Sequence, residues 1–142
     1  MLSIQYKKPV DIAGWTFFIF GILAVLLGII GLIKPEITLT MLGFDVVERT
    51  SRAAGDYTIV FMIASSMASL NMGIYYIFAS LNNVRIFYGW TVPFRILTFI
   101  VFSLAITSGL APSRFWGVGI WELVGALSTG IALVIDKQRG GK

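Results

Sequence analysis

The stretch Ile12–Ile33, IAGWTFFIFGILAVLLGIIGLI, carries no charged side chain between Asp11 and Lys34. About 20 apolar residues rising 1.5 Å each cross a hydrocarbon core of about 30 Å, so this stretch is predicted to be a membrane-spanning helix. Its length exceeds the usual 7–15 residues of a signal-peptide core, and no Ala-x-Ala pattern follows it. It is therefore read as a retained helix. The rest of the 142-residue chain has the same character: 57% of its residues are hydrophobic and only 13% are charged. A soluble domain averages about 25% charged residues, twice what this chain has to cover a surface. Water is the wrong solvent for it.

Three further apolar segments follow, and together the four predict an all-α, integral membrane four-helix bundle in one domain spanning residues 1–142. The expected spans are 12–33, 57–80, 86–110 and 115–135. Asp56 precedes the second span as its expected N-cap. Leu81-Asn82-Asn83 is the expected turn into the third, which begins near Arg85 or at Pro93. The short turn Gly109–Ser113 predicts that the last two helices pack as an antiparallel hairpin. Loop 34–55 is the longest connection. Ile37, Met41 and Phe44 recur within it at spacings of four and three, as in a short amphipathic helix resting on the bilayer surface.

Charge orients the chain. Four spans place Lys7, Lys8, Arg85, Lys137, Arg139 and Lys142 on one side and Lys34, Arg49, Arg52 and Arg114 on the other. The positive-inside rule then predicts both termini in the cytoplasm. No basic run interleaved with aromatics supports nucleic-acid binding. The chain has no cysteine and no histidine, which excludes disulfides, thiolate nucleophiles and imidazole-based metal or haem sites. No cofactor or metal is expected.

Two charged side chains and one amide interrupt the apolar spans. Glu122 lies eight residues past Arg114, about 12 Å into the fourth span. An ionisable group at that depth is costly unless paired or protonated, and so is a candidate functional residue. Arg95, fourteen residues before Gly109, lies about 21 Å from the outer boundary and is the natural partner of Glu122. If the third helix starts at Pro93, Arg95 sits instead at the interface and snorkels. Asn71 falls at about 22 Å in the second span, where it could meet Arg95 or serve as interhelical glue. Small residues mark the expected packing seams: Ser65, Ser69 and Gly73, Ala24 and Gly28, and Ala126 and Gly130. Trp15, Tyr57, Trp90, Trp116 and Trp121 suit aromatic belts. Tyr75, Tyr76 and Phe78 on one helix, with Phe94, Phe99 and Phe102 on the next, could line a lipid-binding cavity or simply pack.

The order of these features resembles the DoxX-like group of small bacterial and archaeal four-helix membrane proteins. The resemblance lies in a glycine-rich first helix ending at Lys34-Pro35 and an interfacial segment closing in Leu42-Gly43-Phe44. The lead-in Ala53-Ala54-Gly55-Asp56, an arginine early in the third helix (Arg95) and an acid in the fourth (Glu122) complete it. It implies an accessory or assembly role rather than catalysis and assigns no site residue. The expectation is therefore a non-catalytic subunit of a larger membrane complex, in contact with lipids and with other subunits or copies of itself. The alternatives are a small transporter or hydrophobic-ligand bundle using Glu122 with Arg95, and a lipid-directed enzyme using Glu122 or Asp56.

Overall fold

A computed structural model describes residues 8–140 of the chain. Those residues form five α-helices: α1 (Ile12–Ile33), α2 (Pro35–Leu42), α3 (Thr58–Leu81), α4 (Arg85–Thr107) and α5 (Trp116–Gly140). There are no strands among them. All but α2 are long and apolar enough to cross a membrane.

Proline and glycine set the boundaries of the short helix. Pro35 cannot continue α1 but suits the first position of a new helix, so the chain turns at Lys34 and restarts. Gly43 ends α2 with φ +84°, and the Phe44 N–H donates to the Leu39 carbonyl at 3.0 Å. Leu39 and Pro35 point inward, while Ile37 and Met41 are exposed, leaving α2 an apolar outer face. Phe44 then packs against Phe115, joining this segment to the start of α5.

The last helix runs past its expected limit, and the third long helix takes the first of its two expected starts. The third long helix begins at Arg85 and runs through Pro93 without ending. Gly89 lies four residues before Pro93, where the proline ring crowds the backbone most. The last helix continues to Gly140 instead of stopping near 135. It continues because Asp136 is engaged: its carboxylate, 8% exposed, accepts the Ala13 N–H at 2.8 Å and the Ile12 N–H at 3.3 Å. These two amides belong to the first turn of α1, which has no intrahelical partner for them.

α1 lies at the centre, packed on α3 along one side and on α5 along another, and α5 in turn packs on α4. The α1–α3 seam is built from glycines. A Cβ on Gly73 would lie 2.6 Å from the Gly21 carbonyl oxygen, and one on Gly28 would lie 2.7 Å from the Leu70 nitrogen. Ser69 donates across the seam to the Ala24 carbonyl at 3.0 Å. Ser65 is exposed, and its neighbour Ser66 takes the seam position beside Gly31. On α5, Ala126 is buried and Gly130 faces Val92 of α4. Thr16 and Thr129 link α1 to α5 through their hydroxyls at 3.2 Å. The last two long helices pair as the short Gly109–Ser113 turn requires, whereas the backbones of α3 and α4 diverge and the two helices meet through side chains such as Tyr88, which donates to the Ala79 carbonyl at 3.1 Å.

Candidate functional site: a buried ion pair between helices

Glu122, Gly125, Thr129, Ala132 and Asp136 recur on α5 at spacings of three and four, which aligns them on one inward face. Gly125, Thr129, Ala132 and Asp136 are buried. Two carboxylates thus share one stripe, one at the end of the helix and one within it.

Arg95 meets the inner carboxylate. It is the eleventh residue of α4, about 15 Å from the helix start, and is only 6% exposed. It is therefore interior, and the interfacial alternative does not apply, because α4 begins two turns before Pro93. Its Nε lies 3.4 Å from Glu122 Oε2. That distance makes an ion pair with little hydrogen-bond character, and Nε is buried with no hydrogen-bond partner. The guanidinium carbon also lies 4.7 Å from the ring centre of Phe20 and 5.2 Å from that of Tyr76. Phe20 in turn packs edge-on against Trp121 at 4.6 Å. All four long helices therefore contribute to the surroundings of one arginine: Phe20 from α1, Tyr76 from α3, Arg95 itself from α4, and Glu122 from α5. The aromatic faces attract the cation where water is excluded.

Asn71 is not part of this cluster. Five residues separate it from Tyr76, a rotation of about 140° on a helix of 3.6 residues per turn, so it lies on another face of α3. There it is half-buried and makes no side-chain hydrogen bond among the described residues. Its helical neighbours at spacings of four and three are Tyr75, Phe78 and Asn82.

Tyr75 and Phe78 are about half exposed and line a shallow groove of 340 Å³ where α3 turns into α4. Tyr76 instead belongs to the core, with Phe17 at 4.8 Å, and Phe17 packs in turn against Tyr88 at 4.5 Å. Phe99 and Phe102 pack on Trp116 and Phe115, and Phe94 faces outward.

The end of the molecule that holds α2 carries charge pairs. Arg49 donates to Glu36 at 2.7 Å, which lowers the Glu36 pKa and raises that of Arg49. Asp56 stands two residues before α3. It accepts from the Thr58 hydroxyl and N–H and pairs with Arg52 at 2.7 Å. These contacts, led by the Thr58 hydroxyl, hold its carboxyl below the usual range. The N-cap position is Tyr57 and not Asp56 as expected; Asp56 accepts the first helical N–H from one residue further out.

The opposite end holds a network that sequence reading passed over. Asp11 accepts the Gly14 N–H at 2.7 Å as the N-cap of α1, and its other oxygen lies 3.3 Å from Arg85. Together with Asp136 it ties the start of α1 to the start of α4 and the end of α5. The periodic run from Glu122 to Asp136 was the available signal for the inward position of Asp136.

Comparison of the chain with protein-family models, curated proteins and solved structures finds no match.

Proposed function

We propose that this chain is a multi-pass integral membrane protein with both termini in the cytoplasm, serving as a non-catalytic accessory or assembly subunit of a larger membrane complex. Four helices of spanning length and apolarity support the membrane part. The excess of Lys and Arg on the side of the termini supports the orientation. The observation that carries the assembly role is Asn71. Its amide lies halfway along an apolar helix, on a face turned away from α1, with no hydrogen-bond partner among the described residues. In hydrocarbon such an amide is satisfied by a second helix, and polar side chains of this kind hold transmembrane helices together with about 0.6–2 kcal/mol each.

Purification of tagged protein from native membranes in mild detergent tests this. The wild type is expected to elute with other membrane subunits, and Asn71→Leu to release them. A wild type that elutes alone as a stable monomer would overturn the assembly role.

The ion pair favours a second reading, in which Glu122 and Arg95 serve a small transporter. Unchanged proton-coupled uptake by a Glu122→Gln variant in proteoliposomes would remove Glu122 from that role.

A further inference from the structure

The groove at the α3–α4 corner combines three features. Its walls are the rings of Tyr75, Phe78 and Phe87 with the side chains of Ala79 and Val84, so it is apolar along its length. Asn82, in the polar turn that closes the apolar helix, adds an amide to its lining. Arg85 follows directly, between the lining residues Val84 and Phe87 in sequence.

Charge distinguishes this end of the molecule. Lys8, Arg85, Lys137 and Arg139 are exposed here. Of the two acids of the same end, Asp136 has both oxygens on first-turn amides of α1, and Asp11 has one there and the other facing Arg85. The surface is therefore cationic although the sequence alternates acids and bases. Arg85 keeps 43% of its side chain exposed and, among the described residues, is held by a single ion pair, at 3.3 Å to Asp11. A guanidinium has five donors in a planar fork, which leaves most of them for an outside anion.

We propose that this corner binds one anionic phospholipid, with an acyl chain in the aromatic groove and the phosphate on Arg85. The groove is shallow and open with apolar walls, so it suits an acyl chain laid along the helix surface and not an enclosed ligand. Basic side chains at the cytoplasmic ends of transmembrane helices are known to select anionic head groups. The site rests on the membrane reading of the four helices and shares the Tyr75 and Phe78 side of α3 with Asn71, so a lipid there occupies the lower part of the face that the assembly role gives to a partner helix.

Native mass spectrometry of the purified protein, with added phosphatidylglycerol or phosphatidylcholine of matched chains, tests the site. The wild type is expected to retain one phosphatidylglycerol about fivefold more than phosphatidylcholine, the preference one basic side chain confers at an anionic surface. Arg85→Gln should abolish the preference, Arg85→Lys should keep it, and Tyr75→Ala with Phe78→Ala should weaken retention of both lipids. Equal retention of the two lipids by the wild type, a preference surviving Arg85→Gln, or full retention after loss of the two rings would each overturn the site. An alkaline carbonate wash of the same membranes separates the two levels. Protein in the pellet without lipid preference sinks the lipid site alone, and protein in the supernatant sinks the membrane reading and the site with it.

Discussion

The guanidinium of Arg95 on α4 lies against the bare backbone of Gly125 on α5: a Cβ at position 125 would come within 2.6 Å of its central carbon. Glycine at this point of α5 is therefore a requirement of the arginine and not of the helix. It lets α5 approach closely enough to bring Glu122, one turn earlier, within ion-pair reach of the same guanidinium. The pair, the two aromatic faces and the glycine form one unit, and each member can be tested separately.

Gly125→Ala should expel the guanidinium from its place. Overpacking of a filled interior costs about 1–3 kcal/mol, and the variant should unfold at a lower temperature than the wild type in detergent. Gly117→Ala is the control, since nothing lies within 4 Å of a Cβ there. Equal melting of the Gly125 variant and the wild type would show that Arg95 has another place to go.

Removing one charge should hurt more than removing both. Glu122→Leu leaves Arg95 buried and uncompensated, at a cost of about 3–5 kcal/mol for a broken buried pair. Arg95→Met combined with Glu122→Leu replaces the pair by apolar groups of similar size and should recover most of that loss. The two single variants and the double variant, unfolded in the same detergent, form the cycle. A double variant as unstable as the sum of the singles would mean that the two residues do not interact.

Asp136 binds α1 from outside its own helix, so its loss should be felt at the far end of the chain. Asp136→Ala is expected to cost about 1 kcal/mol, as for the loss of a cap residue. Hydrogen exchange at the amides of Ile12 and Ala13 is the direct readout, with faster exchange there and little change in α3. Unaltered exchange at those two amides would detach Asp136 from the cap.

What could be read in advance follows the physics of each feature. The four long helices were legible because an uninterrupted apolar run is a property of the local sequence, and Pro35 and Gly43 act through their own backbone restrictions. Depth along the helix left Arg95 and Glu122 about 9 Å apart, a gap that two long side chains can nearly close, which was enough to suggest their pairing. Depth says nothing about rotation, and so Asn71, placed at the right height, was expected near Arg95 although it faces elsewhere. Ser65 shows the same difficulty, since a four-residue repeat fits either of two neighbouring faces and the glycines of α1 select the one holding Ser66. The extension of α5 to Gly140 was hidden because Asp136-Lys137-Gln138-Arg139 looks like solvent-exposed punctuation until the N-terminus of α1 is placed beside it.

Gly73 tests the seam on the other side of α1. With the Gly21 carbonyl 2.6 Å and the Val25 nitrogen 2.7 Å from its virtual Cβ, no flexible side chain can yield. Gly73→Leu must therefore push α3 away from α1, and a loss at or above the upper part of the 1–3 kcal/mol range typical of overpacking, about 3 kcal/mol, is expected. A melting temperature equal to the wild type would place Gly73 outside the seam.

Acid should loosen the connection between α2 and α3 before it affects the bundle. The Asp56 carboxyl titrates below its ordinary range, mainly because the Thr58 hydroxyl and N–H donate to its charged form and secondarily because Arg52 lies beside it. A depressed pKa in the folded state means that the contribution is complete above the ordinary value, about 4 for an aspartate, and is lost as pH falls from there through the folded value. Asp56 is at the surface, so the effect is local order and not global stability. Limited proteolysis of the segment between Gly43 and Thr58 should therefore accelerate as pH drops below about 4 with an acid-active protease. Asp56→Asn should cleave faster already at pH 5 and lose most of the pH response. Equal cleavage of the variant and the wild type at pH 5 would show that the Thr58 and Arg52 contacts do not order this connection.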